Sequence, residues 1–257
     1  MEPPAPPLPT FLIIGAQKSA TRWLRLNLGL HPTVFTAGRE LEFFNNRDRY
    51  EDGGVTWYRE QFEGWAGEPF VGEATPGYMF WRHHPEVVAE RIHDTLPYAR
   101  LIATLRNPID RAQSAMVHHI EDGRLPSDSV LIDLVRATPP ERDKLGIIAG
   151  GWYAASLEPF QQRFGDRLLV VLHDDVDDDP RGVYDAALRH IGATPDFVPP
   201  EFERVRFSHQ QRASTDPGRR PLTLEERREL WEFFAADVGK LEQSIGRDLS
   251  LWDPDRG

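Results

Sequence analysis

Two cationic residues sit just beyond short apolar runs, and both are placed to hold anions. The first is Lys18, in Gly15-Ala16-Gln17-Lys18-Ser19-Ala20-Thr21, directly after Phe11-Leu12-Ile13-Ile14. The run reads as a fully buried strand, Gly15 permits a sharp turn, and Leu24 and Leu28 recur at i, i+4 beyond it. Ser19 or Thr21 is expected to cap the helix that follows. A loop emptying into a helix N-terminus presents unpaired N–H groups and a positive dipole end, which suits phosphate. Lys18 adds a full charge, and the Ser19 and Thr21 hydroxyls add donors. The second cation is Arg106, after Leu101-Ile102-Ala103-Thr104-Leu105 and before Asn107-Pro108. At a strand's C-terminal end it can offer bidentate donors to a phosphate. Pro108 opens a helix, and two turns in, Ser114 can reach the same anion, with Arg111 a third cation nearby. A carboxylate, Glu40, precedes Phe43-Phe44, with Glu42 between them. Beside bulky apolar groups such a carboxylate is partly desolvated, which moves its pKa towards that of a useful base. Read blandly, the same stretch is a surface Glu beside a buried aromatic pair.

The elements that position these residues alternate between apolar runs and amphipathic stretches. Residues 20–30 read as a first helix ending near Gly29, broken by His31-Pro32. Phe70-Val71 reads as a strand end delivering Glu73. Residues 85–96 read as a helix with Val87, Val88, Ile92 and Leu96 at helical spacing. Residues 99–105 and 167–172 read as strands. Residues 121–146 are polar, with a short helix and a loop. Asp179-Pro180 opens a helix ending near Gly192. Residues 222–252 read as helical through Leu230, Phe233, Phe234, Val238, Leu241 and Ile245. The Lys18 loop fails the Walker A pattern, since Gly15 lies three residues before Lys18 and position 17 is Gln. The acids of Asp174–Asp179 have no EF-hand pattern and Pro180 interrupts them, so no metal is expected. His118 and His119 are not a metal pair, because adjacent residues point apart on a helix.

The chain has 257 residues, 40% hydrophobic and 28% charged, enough for one large α/β domain. Met1–Pro9 is proline-rich, lacks the regions of a secretory signal and reads as an extended tail before a single domain over 10–257. No apolar run approaches the roughly 18 residues of a membrane span. A cytoplasmic location is the default expectation. Cysteine is absent, which excludes disulfides and thiol chemistry. The net charge of −11 argues against nucleic acid or a polyanion as partner but leaves room for a local basic pocket. Oligomeric state is not legible.

The Lys18 loop resembles the 5′-phosphosulfate loop of the sulfotransferases, which use 3′-phosphoadenosine 5′-phosphosulfate (PAPS) as sulfuryl donor. Ala20 stands where that family usually has Gly. Arg39-Glu40-Leu41-Glu42-Phe43-Phe44 resembles the K-E-x-x-F-F segment of the heparan-sulfate-type (glucosaminyl) enzymes and their bacterial relatives. Gly72 to Tyr78 resembles E-K-T-P-x-Y, with Ala74 for the Lys. Arg106 to Ser114 resembles the 3′-phosphate motif, and Gly246-Arg247-Asp248-Leu249 with Trp252 resembles the closing clasp.

The resemblance implies a P-loop-like fold with a mainly parallel sheet flanked by helices. It implies PAPS as donor, adenosine 3′,5′-bisphosphate (PAP) as product and no metal. Donor contacts would come from Gln17, Lys18, Ser19, Ala20, Thr21, Arg22, Arg106 and Ser114, and from Arg212, Arg219 or Arg220 in a loop over 203–221. Glu40 would be the general base and Lys18 the stabiliser of the leaving group. Glu73, Tyr78 and His118 would face the acceptor, unless Glu73 is a buried, hydrogen-bonded carboxylate behind the loop. Ala74 and the acidic balance favour a small, weakly charged acceptor, a carbohydrate or glycosylated metabolite, with Trp57, Trp65, Tyr78, Trp81, Trp152 and Tyr153 as candidate cleft aromatics. The alternatives are a nucleotide-dependent kinase or NTPase on a degenerate loop, and a non-enzymatic scaffold that binds PAPS or phosphate.

Overall fold

The computed structural model describes residues 6–139, 142–200, 202 and 220–256. Five strands form one parallel sheet in the order β2-β3-β1-β4-β5: β1 Phe11–Gly15, β2 Val34–Thr36, β3 Phe70–Ala74, β4 Arg100–Leu105 and β5 Leu168–Leu172. Strand β1 is central and buried along its whole length, as its unbroken apolar run requires. Its side chains alternate between two cores. Leu12 and Ile14 join Val71, Leu101 and Ala103 in the larger one, while Phe11 and Ile13 join Ala74 and Ile102 in the smaller.

Ten helices are described: α1 Thr21–Leu28, α2 Gly54–Glu60, α3 Pro85–Thr95, α4 Pro108–Glu121, α5 Leu131–Ala137, α6 Tyr153–Phe164, α7 His173–Asp178, α8 Pro180–Ile191, α9 Leu224–Trp231 and α10 Ala235–Ile245. Helix α4 starts as its sequence dictates. Pro108 occupies the first turn and the Asn107 side chain accepts from the Ile109 N–H. Helices α3 and α6 pack together against the larger core, and α1 and α8 cover the smaller. The fold class expected from the sequence is the one observed. The expected 222–252 helix is instead two, because residues 232–234 turn sharply. There the Phe233 carbonyl accepts from Trp152 Nε1 at 3.0 Å while Phe234 is buried beneath Gly151.

Beyond α10 the clasp closes on the sheet edge. Arg247 pairs with Asp175 at 2.8 Å, Trp252 Nε1 donates to Asp174 at 2.7 Å, and Asn107 Nδ2 donates to the Trp252 carbonyl at 3.2 Å. The acids that drew attention as a metal loop therefore serve as docking points.

Strands β1 and β3 approach closely at Phe11 and Gly72, which are register partners. A Cβ at position 72 would lie 2.3–2.5 Å from the Phe11 ring. Gly72→Ala is expected to destabilise by about 2 kcal/mol, a melting fall of roughly 5 °C, with partial recovery in the Gly72→Ala, Phe11→Leu double variant; calorimetry of the three proteins checks this.

Candidate active site

Every strand is parallel, so the loops leaving β1, β3 and β4 gather at one edge of the sheet, where strand order reverses around β1. The loop after β1 is held down by β4. Ala16 N–H donates to the Thr104 carbonyl at 2.6 Å, and the Thr104 hydroxyl donates to the Gly15 carbonyl at 3.1 Å. Lys18 and Ala20 have φ of 69° and 70° and flank Ser19, which lies at negative φ. Such alternation turns successive N–H groups inward as an anion-binding nest. Ala20 is thus in the left-handed region that a glycine would enter freely, at a cost of about 1 kcal/mol.

Neither Ser19 nor Thr21 caps α1. The N-cap is Ala20 and no side chain bonds the first turn. Ser19 is fully buried, and its Oγ lies beside the Tyr153 hydroxyl but forms no hydrogen bond of ordinary geometry among the described residues. The nearby Tyr153 hydroxyl donates instead to the Arg106 carbonyl at 2.9 Å. Gln17 and Arg22 are exposed at the two ends of the loop, and Thr21 is buried.

Positive charge accumulates here without matched partners. Burial lowers the pKa of Lys18, and Arg106 and Arg111 lower it further, while Glu121 and Asp122 oppose them. Arg106 makes no ion pair among the described residues. Arg111, one of the fully buried side chains, is a strut: its Nη2 donates to the Gly146 carbonyl at 2.7 Å and to the Ile147 carbonyl. Ser114 is half-buried on the same helix. Beside it, Gln113 Nε2 donates to the Arg220 carbonyl at 2.6 Å, so the chain re-enters against α4. The Arg220 guanidinium itself is taken by Glu226 at 2.9 Å, and Arg212 and Arg219 lie outside the described residues. An orphaned buried hydroxyl, a nest and unneutralised cations fit a phosphate-bearing donor.

Beside this loop opens a cleft lined by Gln17, Glu40, Glu42, Phe80, His83 and His119, with Arg124 and Lys144 on its outer wall and Tyr153 at its base. Glu40 is exposed by area but stands within the cleft mouth. Desolvation raises its pKa, Glu42 adds to this, and Arg25 acts against both. Its carboxylate makes no hydrogen bond or close ion pair among the described residues, whereas Glu42 pairs with Arg49 at 3.4 Å. Arg25, which the sequence reading passed over, braces this segment by donating to the Ala37 carbonyl at 2.9 Å. Its position one turn along α1 from Arg22 was the available signal.

Of the three residues expected to face the acceptor, Glu73 takes the buried alternative and Tyr78 is buried with it, while His118 stands near enough to Lys18 to feel its charge. Glu73 and Tyr78 are fully buried, because β3 turns residue 73 into the larger core. His118 turns to Asp122 at 3.6 Å, while its neighbour His119 lines the cleft with Nε2 on the Leu145 carbonyl at 2.9 Å. Ala74 is buried in the smaller core, so it does not wall the cleft. Among the candidate aromatics Tyr153 lines the cleft. Trp57 stacks on Phe43, and Trp65 and Trp152 donate to the carbonyls of Glu68 and Phe233. Phe80, His83, Arg124 and Lys144 lack a motif and were invisible in the sequence.

Burial pushes the Glu73 carboxyl up to about 7, against hydrogen bonds from Tyr78, Thr75 and Tyr58, with Glu40 adding a smaller rise. The folded protein therefore holds a proton between the ordinary carboxylate range and about pH 7 that the unfolded chain has released. This contribution to stability is full below the unfolded pKa and is lost as pH rises through 7. Denaturant titrations should show wild type losing up to about 3 kcal/mol relative to Glu73→Gln between pH 5 and 8. A constant difference would contradict the assigned burial.

Comparison with known proteins agrees with this geometry. The model of the Sulfotransferase family matches residues 9–196. The chain is 28% identical over 207 residues to the mouse bifunctional heparan sulfate N-deacetylase/N-sulfotransferase 4, covering 74% of this chain and 23% of that protein. It thus spans about a quarter of the length of such curated relatives. A sulfotransferase crystal structure from Alicyclobacillus acidocaldarius superposes with a TM-score of 0.79 at 29% identity, covering 96% of this chain and 99% of the other. Mouse sulfotransferase SULT7A1 complexed with PAP shares the fold, with a TM-score of 0.57 at 15% identity over 94% and 89% of the two chains.

Proposed function

Because the chain belongs to the sulfotransferase family, we propose that it transfers the sulfuryl group of PAPS to a hydroxyl or amine of a small carbohydrate-like acceptor. The observation that carries this reading is the adjacency of the Lys18 nest, whose Ala16 and Gln17 line the cleft, and the Glu40 carboxylate, which lines the same cleft without a partner among the described residues. PAPS supplies a sulfuryl group bonded to a phosphate that departs as a stable anion. The nest N–H groups, Ser19, Thr21 and Lys18 would hold the 5′-phosphate, with Arg106 and Ser114 on the 3′-phosphate. Glu40 takes the acceptor proton as the new bond to sulfur forms, and Lys18 stabilises charge on the departing oxygen. Catalysis is then mainly positioning and electrostatics, as in phosphoryl transfer. The similarity to a heparan sulfate N-deacetylase/N-sulfotransferase makes an amino sugar the first acceptor to try.

Calorimetric titration with PAP beside ATP and AMP tests the donor. Micromolar binding to PAP alone, lost in Arg106→Ala, is expected; preference for magnesium–ATP would replace this reading with a kinase or NTPase.

For the chemistry, Glu40→Gln should lower turnover by about 10²–10⁴-fold with PAP affinity unchanged. Lys18→Ala should weaken both binding and turnover. Retention of most of the rate in Glu40→Gln would remove Glu40 as the base.

A further inference from the structure

Among the described residues the buried Glu73 carboxyl group has no ion pair, and every hydrogen bond it accepts comes from a hydroxyl. Its Oε2 accepts from Thr75 at 2.7 Å, and its Oε1 accepts from Tyr78 at 2.6 Å and from Tyr58 at 3.2 Å. Each hydroxyl has one proton, and these three are committed to Glu73. The hydroxyl lone pairs are left to accept. Thr75 Oγ1 accepts from the N–H groups of Leu41 at 3.1 Å and Glu42 at 3.2 Å, and Tyr78 Oη accepts from that of Phe43 at 3.2 Å. Three consecutive amides immediately after Glu40 are thus tied, through two hydroxyls, to one carboxylate on β3.

Once ionised, above about pH 7, Glu73 is an acceptor-only group, and the polarity of this arrangement depends on that form. An amide there would aim an N–H₂ at hydroxyls that already receive N–H donors. The segment it holds is otherwise awkward to fix: Glu42 sits at φ 46°, and the stretch from Gly38 to Glu42 belongs to no helix or strand. Tyr58 serves as an internal control, since it donates to Glu73 but bonds none of the three amides.

From this juxtaposition we infer that Glu73 is a positioning residue, which sets the placement of Glu40 in the cleft through the hydroxyls of Thr75 and Tyr78. The inference rests on the reading of Glu40 as the base for its catalytic meaning, but the anchoring itself does not. It differs from a role at the acceptor, because Glu73 is sealed from the cleft.

Two measurements on the full chain test it. Hydrogen exchange of the peptide spanning residues 38–45 reads the anchoring directly. Thr75→Val and Tyr78→Phe should raise exchange at 41–43 by at least tenfold, Thr75→Ser should restore protection, and Tyr58→Phe should leave it near wild type. PAP release from PAPS, with N-unsubstituted glucosamine oligosaccharide as probe acceptor, reads the positioning. Thr75→Val and Tyr78→Phe should lower kcat at least tenfold with calorimetric PAP affinity within twofold, and Tyr58→Phe should change kcat less than twofold. Equal effects of Tyr58→Phe and Tyr78→Phe on both readouts, or unchanged exchange in Thr75→Val, would overturn the inference. Wild type that fails to bind PAP would instead sink the sulfotransferase reading, leaving the exchange result to decide the anchoring.

Discussion

Parallel pairing of β1 with both β3 and β4 is the constraint on which everything else hangs. Parallel neighbours can be joined only by crossovers, and crossovers deliver the loop after each strand to the same sheet edge. The Lys18 loop, the Glu73–Tyr78 turn and the Arg106 corner are therefore neighbours although 88 residues separate the two cations in the chain. Gathering Lys18, Arg106 and Arg111 there is electrostatically uphill, since Arg106 lowers the pKa of both Lys18 and Arg111 and Arg111 lowers that of Lys18. The sheet holds them together rigidly, and an incoming anion gains the attraction that the fold leaves unsatisfied.

The two halves of the site are held by different physics. The Lys18 side is backbone: a nest at positive φ, a helix start without a side-chain cap, and a Gly15 carbonyl held by Thr104. The Glu40 side is a loop with no ladder of its own. It borrows order from Arg25 at one end and from the Thr75 and Tyr78 hydroxyls at the other. The Arg111 strut then joins α4 to the 146–147 wall of the cleft, so the arm carrying Ser114 and the wall facing Glu40 share one buried guanidinium.

Much of this was legible in the chain because it depends on local rules. Apolar runs marked β1 and β4, Asn107-Pro108 marked the start of α4, and a glycine-led loop with Lys18 marked the anion site. The kink at 232–234 was hidden, because nothing in the helical spacing of Leu230, Phe234 and Val238 records that Trp152 takes the Phe233 carbonyl. Glu73 stayed open between cleft and core for a related reason. A motif gives a residue's place in the chain, whereas strand parity decides which face it meets, and here parity sends it into the core and Ala74 to the opposite side. His118 and His119 show the same limit on a helix, where one position of rotation decides whether the ring lines the cleft or turns to Asp122.

Arg124 and Lys144 line the cleft and stand apart from the relay that ties Glu73 to residues 41–43, whereas His83 Nδ1 contacts the Gly77 carbonyl and Asn45 beside that relay. Arg124 and Lys144 come from two separate turns, so substitution there leaves the Lys18 nest and the anchored carboxylate alone. Such a scaffold is modular in the evolutionary sense. Selection can redraw what the cleft admits by drift in a few surface turns, while the inner frame is inherited intact and diverging enzymes keep one chemistry under changing tastes.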